Sequence, residues 1–150
     1  MTGWKRKWRQ AVENKALNYL SLARKAGKAE LGEEPVGAMA RTGKAYLILV
    51  AQDASDHTWR RAKSFAAGTE QQCLRMPCTK EEMGFAIGRT ALAIAAITDP
   101  ALALALVQAL GQDEKHGPVL EVLRQKTDKA KKRQAEAKAH QRNLRKGKKK

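Results

Sequence analysis

Asp53, Ser55, Asp56, His57 and Thr58 place a hydroxyl nucleophile, an imidazole base and two carboxylates close together, the groups that a hydrolytic triad combines. They follow an apolar run, and strand ends in α/β folds often carry active sites. The spacing argues against catalysis. Near neighbours at a helix start point in successive directions around its axis, whereas a triad needs them to converge. Capping of a following helix accounts for Asp53 and Ser55 without further assumption. Metal chemistry fares no better: Cys73 and Cys78 are the only cysteines, and His57, His116 and His140 lie far from them in sequence. A four-ligand zinc site is unsupported, and reduced, structural thiols are expected. With no phosphate loop and no paired buried carboxylates, no enzymatic activity, metal or cofactor is expected.

The cations carry more information. The 150 residues hold 30 Lys and Arg against 15 Asp and Glu, a net charge of +15, which excludes an acidic carrier. Residues 10 to 123 hold 13 of each sign, so the body is neutral and the surplus sits at the two ends. Residues 1 to 9 carry Lys5, Arg6, Lys7 and Arg9 with no acid, and residues 124 to 150 carry 13 basic and two acidic side chains. Such a tail, with Lys129, Lys131, Lys132 and Arg133 at its densest, is expected to meet a polyanion: nucleic acid first, an anionic membrane surface second. Trp4-Lys5-Arg6-Lys7-Trp8-Arg9 interleaves aromatics with cations, which suits base stacking and phosphate contact, or extends the apolar face of a first helix. The basic start is not followed by an apolar signal-peptide core, and Thr98-Asp99-Pro100 interrupts the apolar stretch from Ala91 to Leu110, so no membrane span and a cytoplasmic location are expected.

The elements that hold these residues can be read from periodicity. Val12, Ala16, Leu17, Leu20 and Ala23 recur at helical steps, and Gly27 stops that helix. Lys28 to Leu31 reads as a short extended piece, and Gly32-Glu33-Glu34-Pro35 opens a second helix that buries Val36, Met39 and Ala40 and ends at Gly43. The unbroken run Tyr46 to Ala51 predicts a strand covered on both faces. A third helix follows to about Ala67, then a weaker strand near Gln72 to Met76. Thr79 and Glu82 form a capping box for a fourth helix, Ala91 to Ile97 reads as a second buried strand, and Asp99-Pro100 starts a fifth helix to Leu110. The alternation predicts a three-layer α/β/α sandwich with a small four-stranded mixed sheet. The division expected is a basic extension over 1 to 10, the sandwich over 11 to 117 and a basic tail over 118 to 150. Val119, Leu120, Val122 and Leu123 could dock a turn or two of that tail; beyond Arg124 it is read as disordered, or as a solvated helix that orders on a partner.

Several strings then fall in a familiar order between Leu17 and about Leu110. Leu22-Ala23-Arg24-Lys25-Ala26-Gly27-Lys28, Gly32-Glu33-Glu34, Gly43-Lys44-Ala45 and Asp53-Ala54-Ser55 are followed by Met83-Gly84-Phe85-Ala86-Ile87-Gly88 and the strand Ala93 to Asp99. Together they resemble the kink-turn-binding ribosomal protein superfamily, of the L-seven-Ae type, and within it the bacterial YlxQ-like branch, whose motif likewise reads Gly-Glu-Glu. The resemblance implies an RNA-binding protein, ribosome-associated through ribosomal or other structured RNA, and a monomer. It also implies an RNA face made by the second helix start, Gly32, Glu33, Glu34 and Pro35, and the loop before the last strand, Arg89, Thr90, Ala91 and Leu92. Lys28 is expected to add a cation beside it, and Ala91 and Leu92 to pack on an extruded base. Kink-turn readers generally carry Asn-Glu or Lys-Gln where this chain has Glu34 and Pro35; a carboxylate cannot donate and proline has no N–H, so weak or altered kink-turn recognition is expected. The alternative is a non-catalytic protein-interaction or architectural module of the same fold.

Overall fold

A computed structural model describes residues 15–111 and 113–148. The basic extension with Trp4 and Trp8, and Val12 of the first helix, lie outside the described residues. Helix α1 (15–25) buries Ala16, Leu20 and Ala23, and Gly27, at φ 71°, ends it in a left-handed turn. The chain continues through β1 (Ala29–Leu31), α2 (Glu33–Arg41), β2 (Leu47–Val50), α3 (Asp56–Ala66), β3 (Gln72–Arg75), α4 (Lys80–Ala86), β4 (Ile94–Ile97), α5 (Pro100–Ala109) and α6 (Asp113–Lys148). This is the predicted alternation, and the caps formed are those of Ser55, which accepts from the Thr58 N–H, of Thr79 and Glu82, which close a capping box, and of Asp99, which accepts from the Leu102 N–H. Asp53, also expected to cap α3, is instead turned to the Lys80 N–H.

The sheet is mixed, in the order β1-β4-β2-β3. β4 runs antiparallel to both β1 and β2, and β3 runs parallel to β2 by way of α3. Every residue of β2 and β4 is buried, as the continuous apolar runs require of central strands with helices on both faces. On one side α2 packs against α3; on the other α5 packs on β4 and α6 on α5. Ala91 to Ala93 form the approach to β4 rather than part of the strand, although Leu92 is buried, which is why the apolar run outlasts the ladder.

The register defines two ends. Ala29, Ile97, Leu47 and Gln72 share one row, and Val50 faces Ile94 and Arg75 at the other. Near the first row Gln71 is buried and ties three segments: its side-chain carbonyl accepts from the Ala45 N–H at 2.9 Å, and its amide donates to Ala40 O at 3.1 Å and to Thr69 Oγ1 at 3.2 Å.

The tail is a helix. α6 starts at Asp113, so the expected boundary at 117/118 falls inside it. Pro118 removes one hydrogen bond close to the helix start, and burial of Leu120 and Leu123 just beyond compensates. Docking continues to Thr127, whose hydroxyl donates to Leu123 O at 2.8 Å, and Lys126 pairs with Glu70, holding the Glu70 carboxyl below its usual range. Every residue from 131 to 144 is exposed, so this stretch buries no core, as its composition requires.

Neither cysteine is in a disulfide, and burial pushes the Cys73 thiol up to about 11. Cys73 should therefore resist alkylation at pH 8 in the folded protein and react at an unfolded rate only in denaturant, as mass spectrometry after iodoacetamide would record. Gln71→Leu should cost about 1 to 3 kcal/mol for each buried backbone group it leaves unpaired, read as a lower urea midpoint.

Candidate functional site

The Asp53 to Thr58 segment is committed to structure. The Asp53 carboxylate accepts from the Lys80 N–H at 2.8 Å, tying the end of β2 to the first turn of α4. Ser55 caps α3 and shares a 3.1 Å hydrogen bond with the Thr58 hydroxyl. Among the described residues no group of three or more His, Cys, Asp or Glu could hold a metal ion.

The two segments that the resemblance singled out do meet. Gly32 prolongs the β1–β4 ladder: its N–H donates to Ile94 O at 3.0 Å, which joins the start of α2 to the loop before β4. Gly32 sits at φ 99°, ψ 160°, a backbone state that other residues rarely adopt, and it is the N-cap of α2. The Val36 N–H is satisfied by Gly32 O, and Pro35 has no N–H. Of the four amides at a helix start that lack intrahelical carbonyls, those of Glu33 and Glu34 are what α2 can offer.

The loop is pinned from below by α4. Arg89 N–H donates to Gly84 O at 2.8 Å and Leu92 N–H to Lys80 O at 2.9 Å. A Cβ on Gly84 would lie 2.6 Å from the backbone of Ala91, so helix and loop are in direct backbone contact. Arg89, Thr90 and Ala91 are exposed, whereas Leu92 is 4% exposed and anchors the loop in the core. The expectation that Leu92 packs on a base is thereby corrected: its side chain is already covered, and Ala91 is the apolar residue on offer. Phe85, in the last turn of α4, is 87% exposed and adds an aromatic ring four residues before Arg89.

Lys28 is not beside this site. Its carbonyl accepts from the Thr98 N–H at 2.8 Å, and β1 separates it from Gly32 by about 13 Å of extended chain. A cation that reaches the start of α2 is Arg61 of α3, whose Nε lies 2.6 Å from Glu33 Oε1. Its guanidinium carbon also lies 5.4 Å from the Phe65 ring centroid. Phe65 in turn rests on Gly37 of α2, where a Cβ would come within 3.0 Å of the ring. Sequence reasoning missed Arg61 because its position depends on the register of α3 against α2, which no local pattern encodes. Lys129, Lys131, Lys132 and Arg133 are exposed on α6, away from this end of the sheet.

No family model matches the chain. Over 62 residues it is 39% identical to the RNA-binding protein YlxQ of Enterococcus faecium, an alignment covering 41% of this chain and 60% of that relative. Over this segment the chain is similar to YlxQ. The chain thus aligns with less than two thirds of the relative's length. Among solved structures, a protein of unknown function from Bacillus halodurans matches with a TM-score of 0.60 at 23% identity, covering 65% of this chain and 97% of the other. The Giardia lamblia 15.5kD RNA binding protein matches with a TM-score of 0.56 at 18% identity, covering 69% and 88%. These structures establish the fold, and the relatives named for a role are named for RNA binding, which is not enzymatic. Among the described residues no helix is long and apolar enough to cross a membrane.

Gly84→Ala tests the loop. The added methyl meets backbone at 2.6 Å, so α4 and the Ala91 segment must separate. The expected outcome is a loss of about 1 to 3 kcal/mol, with faster hydrogen exchange at the Arg89 and Leu92 amides.

Proposed function

We propose that this protein is an RNA-binding protein that acts in association with the ribosome, as a cytoplasmic monomer, through ribosomal or other structured RNA. The observation that carries the reading is the Gly32 to Ile94 hydrogen bond, which brings a glycine-capped helix start and an exposed loop to one end of the sheet. The YlxQ relative and the Giardia protein, both named for RNA binding, support it. The chemistry is that of a shape reader. Two free amides can meet phosphate oxygens, Arg89 supplies a cation, and Ala91 and Phe85 supply apolar surface for an unstacked base.

The electrostatics of the helix start temper affinity. Glu33 is paired with Arg61, which lowers the repulsion a phosphate would meet, while Glu34 is exposed with its charge available. With Pro35 withholding an amide, the body recognises kink-turns weakly or in an altered way, and the basic tail supplies phosphate contacts. A membrane is the poorer partner for that tail. An interfacial helix needs an apolar face, and between 128 and 144 the apolar residues are alanines and Leu144. The exposed Phe85 also suits a protein-docking module of this fold; loss of RNA affinity in Phe85→Ala, with the melting temperature unchanged, decides for RNA.

Removing residues 124 to 150 takes the net charge from +15 to +4. On ribosomal RNA fragments, fluorescence anisotropy across a salt series should show lower affinity and a flatter slope for the truncated protein, each lost contact removing about 0.7 from the slope if single-stranded phosphates are involved. Unchanged affinity and slope would make the tail a bystander. In the same assay residues 10 to 117 should distinguish a kink-turn from one with disrupted G·A pairs by little; a large preference for the intact kink-turn overturns the altered mode.

A further inference from the structure

We infer that this protein joins two separate segments of RNA, one at the Gly32 and Arg89 to Ala91 end and a second along the exposed arm of α6, at the opposite end of the molecule. The inference rests on the RNA-binding reading above and adds a geometry to it.

The two ends follow from the register. Gly32 donates to Ile94 O, so the candidate site lies at the Val50, Ile94 and Arg75 end of the sheet. α5 departs from the other end, since Pro100 comes just after Ile97, whose partners are Leu47 and Ala29. A tight turn at Gly111, φ 66°, then folds α6 back along α5, where it buries Leu120 and Leu123. The return is fixed by the Lys126 to Glu70 pair, because Glu70 precedes β3 by two residues and Gln72 stands in the row of Leu47. α6 therefore comes back to the end from which α5 left, and it continues unbroken to Lys148.

At 1.5 Å per residue, the stretch from Lys126 to Lys148 extends about 33 Å past that clamp. Adding the height of the sheet puts its tip on the order of 45 Å from Gly32. The Debye length at physiological ionic strength is about 8 Å, so the arm's charges cannot strengthen contacts at the candidate site through their field. Nor can the arm fold over that site while it is helical and clamped. Its cations between residues 129 and 142, Lys129, Lys131, Lys132, Arg133, Lys138 and Arg142, are exposed and outnumber the two nearby acids, Asp128 and Glu136. A polyanion that meets them is a different stretch of RNA from the one on the loop, or a remote part of the same molecule folded to span the gap.

Site-specific photocrosslinking of the full-length protein tests this in cells. A benzoylphenylalanine is placed at Thr90 or at His140, both exposed, and the crosslinked RNA is sequenced. The expected result is two disjoint sets of fragments, with a Lys126→Glu variant redistributing the His140 set and leaving the Thr90 set unchanged. Identical nucleotides from both positions would show that the arm and the loop serve one segment and would overturn the inference. Crosslinks from Thr90 alone leave the loop as an RNA site and remove the bridge. Crosslinks from His140 alone remove both the loop site and the bridge.

Discussion

The placement of β4 between β1 and β2, antiparallel to both, is the constraint on which the rest of the architecture depends. It covers both edges of the strand with backbone partners, and Ile94, Ala95, Ala96 and Ile97 are all buried as a result. Small alanines at its centre let helices approach from both sides. The same pairing brings Leu31 opposite Ala95, so the next residue, Gly32, can only continue the ladder or turn away. It does both: its N–H bonds to Ile94 O and its left-handed backbone turns the chain into α2. Helix start and loop are thus coupled by hydrogen bonding of the sheet and not by side chains of the site itself.

Charge is distributed to match this division of labour. The body is neutral by sequence, and where it carries acids at the helix start it answers one of them from α3 through Arg61. Cation–ring contacts recur on the same flank, with Arg75 4.9 Å and Lys63 5.6 Å from the Trp59 ring and Arg61 over Phe65. Of these contacts only that of Arg75 with Trp59 joins β3 to α3; the other two lie within α3. The unanswered positive charge is left to the two ends of the sequence, most of it to residues 124 to 150.

Much of the fold was legible because the signals were local and mutually consistent. The runs at 46–51 and 91–97, the box of Thr79 and Glu82, the Asp99-Pro100 start and the glycines that end helices each depend on a few adjacent residues. What escaped the sequence was relational. Arg61 reaches Glu33 only through helix register, Gln71 finds Ala40 and Ala45 only once the sheet has formed, and Lys28 leaves the site because β1 has a length. Leu92 looked available because apolar residues in loops often are; burial beside Lys80 O was a property of the α4 contact. The tail's composition announced its charge, but its continuity through Pro118 depended on α5 as a docking surface.

The regular winding of α6 has a consequence for how its arm presents charge. At about 100° per residue, Lys129, Lys132 and Arg133 fall within about 100° of arc, and Lys131, Lys138 and Arg142 fall within about 40° of arc on the roughly opposite side. Between residues 129 and 142 the arm is two-edged, with three cations on each edge. A flat anionic surface can touch one edge at a time and leaves the other to solvent. A polyanion that neutralises both must pass on either side of the helix, as two phosphate strands flanking a groove do, and it would hold the arm by its flanks.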